Sequence, residues 1–161
     1  METKSIQIQY QIYSIDELPE DIRALLDLAE QQLEMSYAPY SNFNVGAALR
    51  LENNKVFSGC NQENAAYPLC ICGERVALYS AGSQYPDMPI KALCISARNN
   101  IKKLSIPVSP CGACRQVIKE FQDKTKHPFP IYIKAFDIKE VIKYNNAEDL
   151  LPFSFSKEYL I

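Results

Sequence analysis

Cys70-Ile71-Cys72-Gly73-Glu74-Arg75-Val76-Ala77-Leu78-Tyr79 sets a thiol two positions before a carboxylate, where an apolar helical pattern begins. Downstream, Pro110-Cys111-Gly112-Ala113-Cys114-Arg115-Gln116 places two more thiols at a second helix start. Cys72, Cys111 and Cys114 together supply three thiolates, and Glu74 supplies a carboxylate that need not be a ligand. Three protein ligands leave zinc an open fourth position, as catalysis requires, whereas a structural zinc is closed by four. A carboxylate beside such a centre can move protons for the metal-bound water. Helix N-termini lower thiol pKa values and so favour the thiolates that a metal needs.

Each piece alone is ambiguous. Cys111 and Cys114 read equally well as a thiol–disulfide redox pair or as part of a zinc site. Cys70 could close a structural zinc module as a fourth ligand, which would make the chain a non-catalytic scaffold. The combination is more specific than its parts, because two helix starts carry the thiols and a buried strand separates them.

Outward from this stretch, the pattern alternates helices and strands. Asp16, Glu17 and Pro19 open a helix whose apolar face (Ile22, Leu25, Leu26, Ala29, Leu33) runs to about Met35. Val45–Leu51 and Lys55–Cys60 form a hairpin across Glu52-Asn53-Asn54. Helices follow at Cys72–Ser83 and Cys111–Gln122, with a buried strand at Ile90–Ala97 between them. Ile131–Phe136 and Val141–Tyr144 read as strands, and Ala147–Leu151 as a short terminal helix. Residues 1–15 read as an N-terminal arm or edge strand, on the alternation within Gln7–Tyr13. Cys60 and Cys94 lie in apolar strands and read as small core residues.

Size and charge limit the function. At 161 residues the chain is one domain's worth, with 47% hydrophobic and 22% charged residues. A net charge of −2 and the absence of a basic run give no pull toward nucleic acid or an anionic membrane. No apolar stretch is long enough to span a bilayer, and the first residues lack a signal peptide's basic and apolar regions. A cytoplasmic location is the expectation, in which six cysteines serve metal binding, catalysis or burial rather than disulfides.

Cys-x-Glu followed by Pro-Cys-x-x-Cys is the three-cysteine form of the zinc nucleobase-deaminase signature. Around it stand Ala38-Pro39-Tyr40-Ser41, Phe43, Val45-Gly46-Ala47-Ala48, Gly59-Cys60-Asn61, Glu63-Asn64-Ala65, Tyr67-Pro68, and Leu150-Leu151-Pro152 with Ser154-Phe155. With these motifs, the chain from about Tyr37 to Phe155 resembles cytidine deaminases of the small homotetrameric type. The resemblance implies an α/β fold, a three-layer α/β/α sandwich around a mixed five-stranded sheet. It implies Zn²⁺ on Cys72, Cys111 and Cys114, with Glu74 as proton shuttle. His127, the only histidine, follows a helix in Lys126-His127-Pro128 and reads as a surface residue, so the usual histidine ligand is replaced by cysteine.

The resemblance also implies substrate contacts. Phe43 would stack on the base, Gly73 would offer its backbone N–H, and Asn61 and Glu63 would hold the ribose hydroxyls. Phe155 would reach a neighbouring subunit's site in a homotetramer. Arg75 would hydrogen-bond the zinc sulfurs and draw charge from them. The implied reaction is hydrolysis of cytidine and deoxycytidine to uridine and deoxyuridine plus ammonia, in pyrimidine salvage. Two positions depart from the family's pattern. Gly73 stands where alanine is usual. Cys70 stands where glycine is usual, and cysteine would be strained there if the position needs positive φ. These departures leave open a modified cytidine or a blasticidin-type aminopyrimidine nucleoside as substrate.

Overall fold

The computed structural model describes residues 1–160. Its elements in chain order are β1 (Gln11–Ser14), α1 (Glu20–Gln31), β2 (Phe43–Leu51), β3 (Val56–Cys60), α2 (Gly73–Gln84), β4 (Ile90–Asn99), α3 (Gly112–Thr125), β5 (Ile131–Ala135) and β6 (Glu140–Tyr144). They form one sheet in the order β1-β6-β5-β4-β2-β3. Only β4 and β5 are parallel, joined by a crossover through α3; every other neighbour is antiparallel.

Strand sequence explains the layers. Ala47, Leu49, Leu93, Ile95, Ile131 and Ile133 point to the face covered by α2 and α3. Ala48, Ala92, Cys94 and Tyr132 point to the face covered by α1. Apolar residues on both faces of the central strands demand helices on both sides, which is the expected three-layer sandwich. At Gly46 the backbone of α1 comes so close that a Cβ would lie 2.0 Å from the Ala29 carbonyl oxygen, so only glycine fits. Cys60 and Cys94 are buried core residues, and burial pushes the Cys94 thiol far up.

The sheet has six strands, not the expected five. The sixth is β1, which pairs antiparallel with β6 from Gln11↔Lys143 to Ser14↔Glu140. Ala147–Leu151 is a hydrogen-bonded turn, not a helix: Leu150 N and Leu151 N both donate to the Ala147 carbonyl. Its buried residues Ala147 and Leu150 are three apart and so imitate helical spacing. α1 ends at Gln31 and tightens into a 3₁₀ turn to Met35. Among the described residues, no helix is long and apolar enough to cross a membrane.

Candidate metal centre and adjoining cavity

The fold brings two helix starts to one place. Cys72 is the N-cap of α2 and Cys111 the N-cap of α3, both with extended backbone. Cys114 lies one turn into α3 and is buried. The sulfurs of Cys72 and Cys111 are 3.9 Å apart and those of Cys111 and Cys114 3.5 Å; all three lie within 4.8 Å of one another. Tetrahedral zinc with Zn–S bonds of about 2.3 Å sets its sulfurs about 3.8 Å apart, so the trio fits that ion.

Charge agrees with this fit. The Cys72 thiol is drawn down to about 5 by the Cys114 thiol that hydrogen-bonds it and, against burial, by the Arg75 guanidinium. Cys114 moves up, because it is the donor to Cys72 and is buried near Glu74. Without a cation the Cys72 sulfur thus carries charge in preference to Cys114. A divalent cation would offset the repulsion that keeps the Cys114 thiol protonated.

Glu74 sits in the first turn of α2, 4% exposed. Burial, reinforced by the neighbouring Cys72 charge, raises its carboxyl to about 7. Its Oε2 is buried with no hydrogen-bond partner. A buried, unpartnered carboxyl oxygen is costly and points to a group that the site receives. Arg75 approaches from the other side, its Nη2 donating to Cys72 Sγ at 3.6 Å and to the Cys70 carbonyl at 3.4 Å. Its buried Nε has no acceptor.

A cavity of about 380 Å³ opens over Cys72, Glu74 and Cys111. Phe43 and Asn61 line it, as expected, and so do Val108 and Ser109, which the sequence reading did not assign. The Asn61 side chain is heavily engaged. Its Oδ1 accepts from the Ser36 hydroxyl and from Val45 N (2.8 Å), while its Nδ2 donates to the Phe43 carbonyl (2.9 Å). One Nδ2–H remains for a ligand.

Glu63 stands in an adjoining cavity of about 270 Å³ with Tyr40, Tyr67 and Cys70; Ser41 lines both cavities. Its Oε2 accepts from Tyr40 N (2.8 Å) and Ser41 N (3.3 Å). Slight burial pushes its carboxyl up, but Ser41 and these N–H groups outweigh that and hold it low. Tyr40 and Ser41 stood in a motif of the resemblance without an assigned role, and Ser36 left no signal beyond a polar loop.

Gly73 begins α2 against β2, where a Cβ would meet the Val45 carbonyl oxygen at 2.7 Å. Phe155 is not brought to the cavity within one chain. It is exposed, stacks on Tyr159 at 5.8 Å, and its carbonyl accepts from Gln116 Nε2. Cys70 has φ −62°, so it bears no strain there. Its sulfur contacts the Asn64 backbone and stands outside the sulfur trio, which removes it as the fourth ligand of a closed zinc. A larger cleft, about 540 Å³, lies between α3 and the C-terminal segment, but its lining contains no thiol.

Residues 19–127 match the family described as the cytidine and deoxycytidylate deaminase zinc-binding region. The chain belongs to this family. It is 41% identical over 140 residues to the cytidine deaminase of Sporosarcina psychrophila, covering 87% of this chain and 95% of that one. Identity to the cytidine deaminase of Halalkalibacterium halodurans is 37% over 138 residues, covering 86% and 96%. The crystal structure of cytidine deaminase from Burkholderia pseudomallei superposes with a TM-score of 0.71 at 38% identity, covering 86% of this chain and all of that one. These likenesses, with the sulfur geometry, establish a zinc-binding deaminase. They set aside both the redox-pair and the scaffold readings.

Proposed function

We propose that this chain hydrolyses cytidine and deoxycytidine to uridine and deoxyuridine plus ammonia, as a step of pyrimidine salvage. The observation that carries the reading is the unpartnered Glu74 Oε2, buried beside three sulfurs at metal-binding distance under a cavity of nucleoside size. Names of similar proteins support the substrate, since the relatives at 41% and 37% identity are cytidine deaminases.

Cys72, Cys111 and Cys114 would hold the zinc, which would supply an acidified water near neutral pH. Glu74 takes one proton from the attacking water and delivers it to N3 of the pyrimidine, so that C4 becomes electrophilic and the water oxygen bonds to it. Glu74 then moves the second proton, from the new C4 hydroxyl, to the amino group; the C4–N bond breaks, ammonia leaves, and the C4 carbonyl of the product forms with the first proton kept on N3. A carboxyl raised to about 7 by burial is well placed to hold and release protons near neutrality. Arg75 donates to the Cys72 sulfur, drawing negative charge from the thiolates.

Phe43 stacks on the base, the Gly73 N–H contacts it, and Asn61 and Glu63 bind the ribose hydroxyls. A low-pKa carboxylate at Glu63 accepts from hydroxyls and repels phosphate, favouring free nucleosides. Phe155, exposed in its own chain, completes a neighbour's site in a homotetramer. The chain acts in the cytoplasm as one catalytic domain over residues 1–161.

The test is loss of ultraviolet absorbance on cytidine and deoxycytidine, with Glu74→Ala as control and zinc measured in both proteins. Turnover of at least one nucleoside by wild type alone is expected. Zinc-loaded wild type inactive on both would overturn this substrate and favour a modified cytidine or blasticidin-type nucleoside. The specific observation behind that second reading is Cys70, which lines the Glu63 cavity in place of the family's usual glycine.

A further inference from the structure

The N-terminal arm lies outside the family match, which begins at residue 19, so the deaminase reading does not account for it. Ser5 to Ser14 reads Ser-Ile-Gln-Ile-Gln-Tyr-Gln-Ile-Tyr-Ser, without a charge, proline or glycine. Its even positions, Ile6, Ile8, Tyr10 and Ile12, are apolar and between 47% and 57% exposed. Only residues from Gln11 onward are paired, to β6, and β1 ends the strand order, so its outer edge is open among the described residues.

An open strand edge is ordinarily blunted by charges, prolines or bulges, because it templates pairing with another chain. This edge carries none of those devices. Its sequence is also nearly palindromic about Gln9: Gln7 mirrors Gln11, Ile6 mirrors Ile12, and Ile8 mirrors Tyr10. In an antiparallel pair related by a twofold axis, a strand that reads alike in both directions places apolar side chains against apolar ones and amides against amides. The stretch offers no charge with which to select a charged partner.

We infer that residues 5–13 of two copies of this chain pair antiparallel, centred on Gln9, and so join their sheets at β1. Ile6 then lies opposite Ile12 and Ile8 opposite Tyr10 on one face, with glutamines facing one another on the other. The Tyr10 ring already packs near Tyr144 of β6 (5.9 Å), which orients the arm for this contact. The pairing joins assemblies at a surface away from the metal centre and does not depend on the substrate assignment.

The test compares full-length wild type with Ile8→Lys, which puts two charges near the centre of the paired strands. Sedimentation equilibrium reads assembly mass, and hydrogen exchange reads the amides of residues 5–10. Wild type should have at least twice the mass of Ile8→Lys, and its residues 5–10 should exchange at least about tenfold more slowly, with equal kcat in the two proteins. Equal masses would overturn the inference. So would residues 5–10 exchanging at the free-chain rate in wild type, or protection that survives Ile8→Lys.

Discussion

Glu74→Gln keeps the shape of the side chain and removes its proton exchange, so it separates chemistry from packing. Loss of a positioned acid–base group costs about 10²–10⁴ in rate. That corresponds to about 3–5 kcal/mol at 1.36 kcal/mol per factor of ten. The same substitution alters the pH dependence of stability in metal-free protein. Folding moves the carboxyl from 4.5 to about 7, mainly through burial. The folded state therefore binds this proton more tightly, and its stability falls as pH rises through that window. The full effect is about 3 kcal/mol, absent below the unfolded pKa and complete above the folded one. Glutamine carries no such dependence. The amide that replaces Oε2 also lacks a partner, so the slope against pH, not stability at one pH, is the readout. Urea unfolding of both reduced, zinc-free proteins from about pH 4 to about pH 8 measures it. The expected outcome is a variant with zinc retained on reconstitution, turnover down at least a hundredfold, and stability that gains on wild type as pH rises. Wild-type turnover in a zinc-loaded variant, or parallel stability curves, would refute the assignment.

Arg75→Gln should keep one zinc per chain while kcat falls about ten- to a hundredfold, because the donor to Cys72 is lost and the sulfurs regain their charge. Metal analysis beside steady-state kinetics checks it, and wild-type kinetics would argue against the role. Chelation should abolish activity and added zinc should restore it, with metal content and rate returning together. Truncation before Pro152 removes Phe155 and should raise KM or disperse the assembly, read by kinetics and sedimentation; a fully active monomer would refute the shared site.

Much of the site was legible because its signals are local. A thiol at the residue before an apolar helical run is both an N-cap and a ligand position, and Cys72 and Cys111 are such N-caps. The central strands were legible as unbroken apolar runs, since both faces are buried. What failed depends on distant partners. The expected edge strand is present as β1 beside β6, but its extent was not legible: nothing within Gln7–Tyr13 shows that pairing begins only at Gln11. The Ala147–Leu151 turn is fixed from outside as well, by Gln122 Oε1 accepting from Ala147 N. Asn61 was read for its ligand chemistry, but the structure spends most of its hydrogen-bonding capacity on Ser36, Phe43 and Val45.

The two departures inside the opening stretch now separate in meaning. Cys70 follows a 3₁₀ turn with ordinary extended dihedrals, so the usual glycine is not needed there for its conformational freedom. What the cysteine changes is the lining of the Glu63 cavity, which under the proposed function bears on substrate rather than on fold. Gly73 is the reverse case. The first turn of α2 lies against the Val45 carbonyl so closely that an added Cβ would have to move backbone. That contact fixes how deeply Cys72 and Glu74 sit over the strands, and both flank Gly73 directly. The three thiols thus meet where two helix starts converge, while Gly73 sets how α2 is seated and Cys70 forms part of the wall beside Glu63.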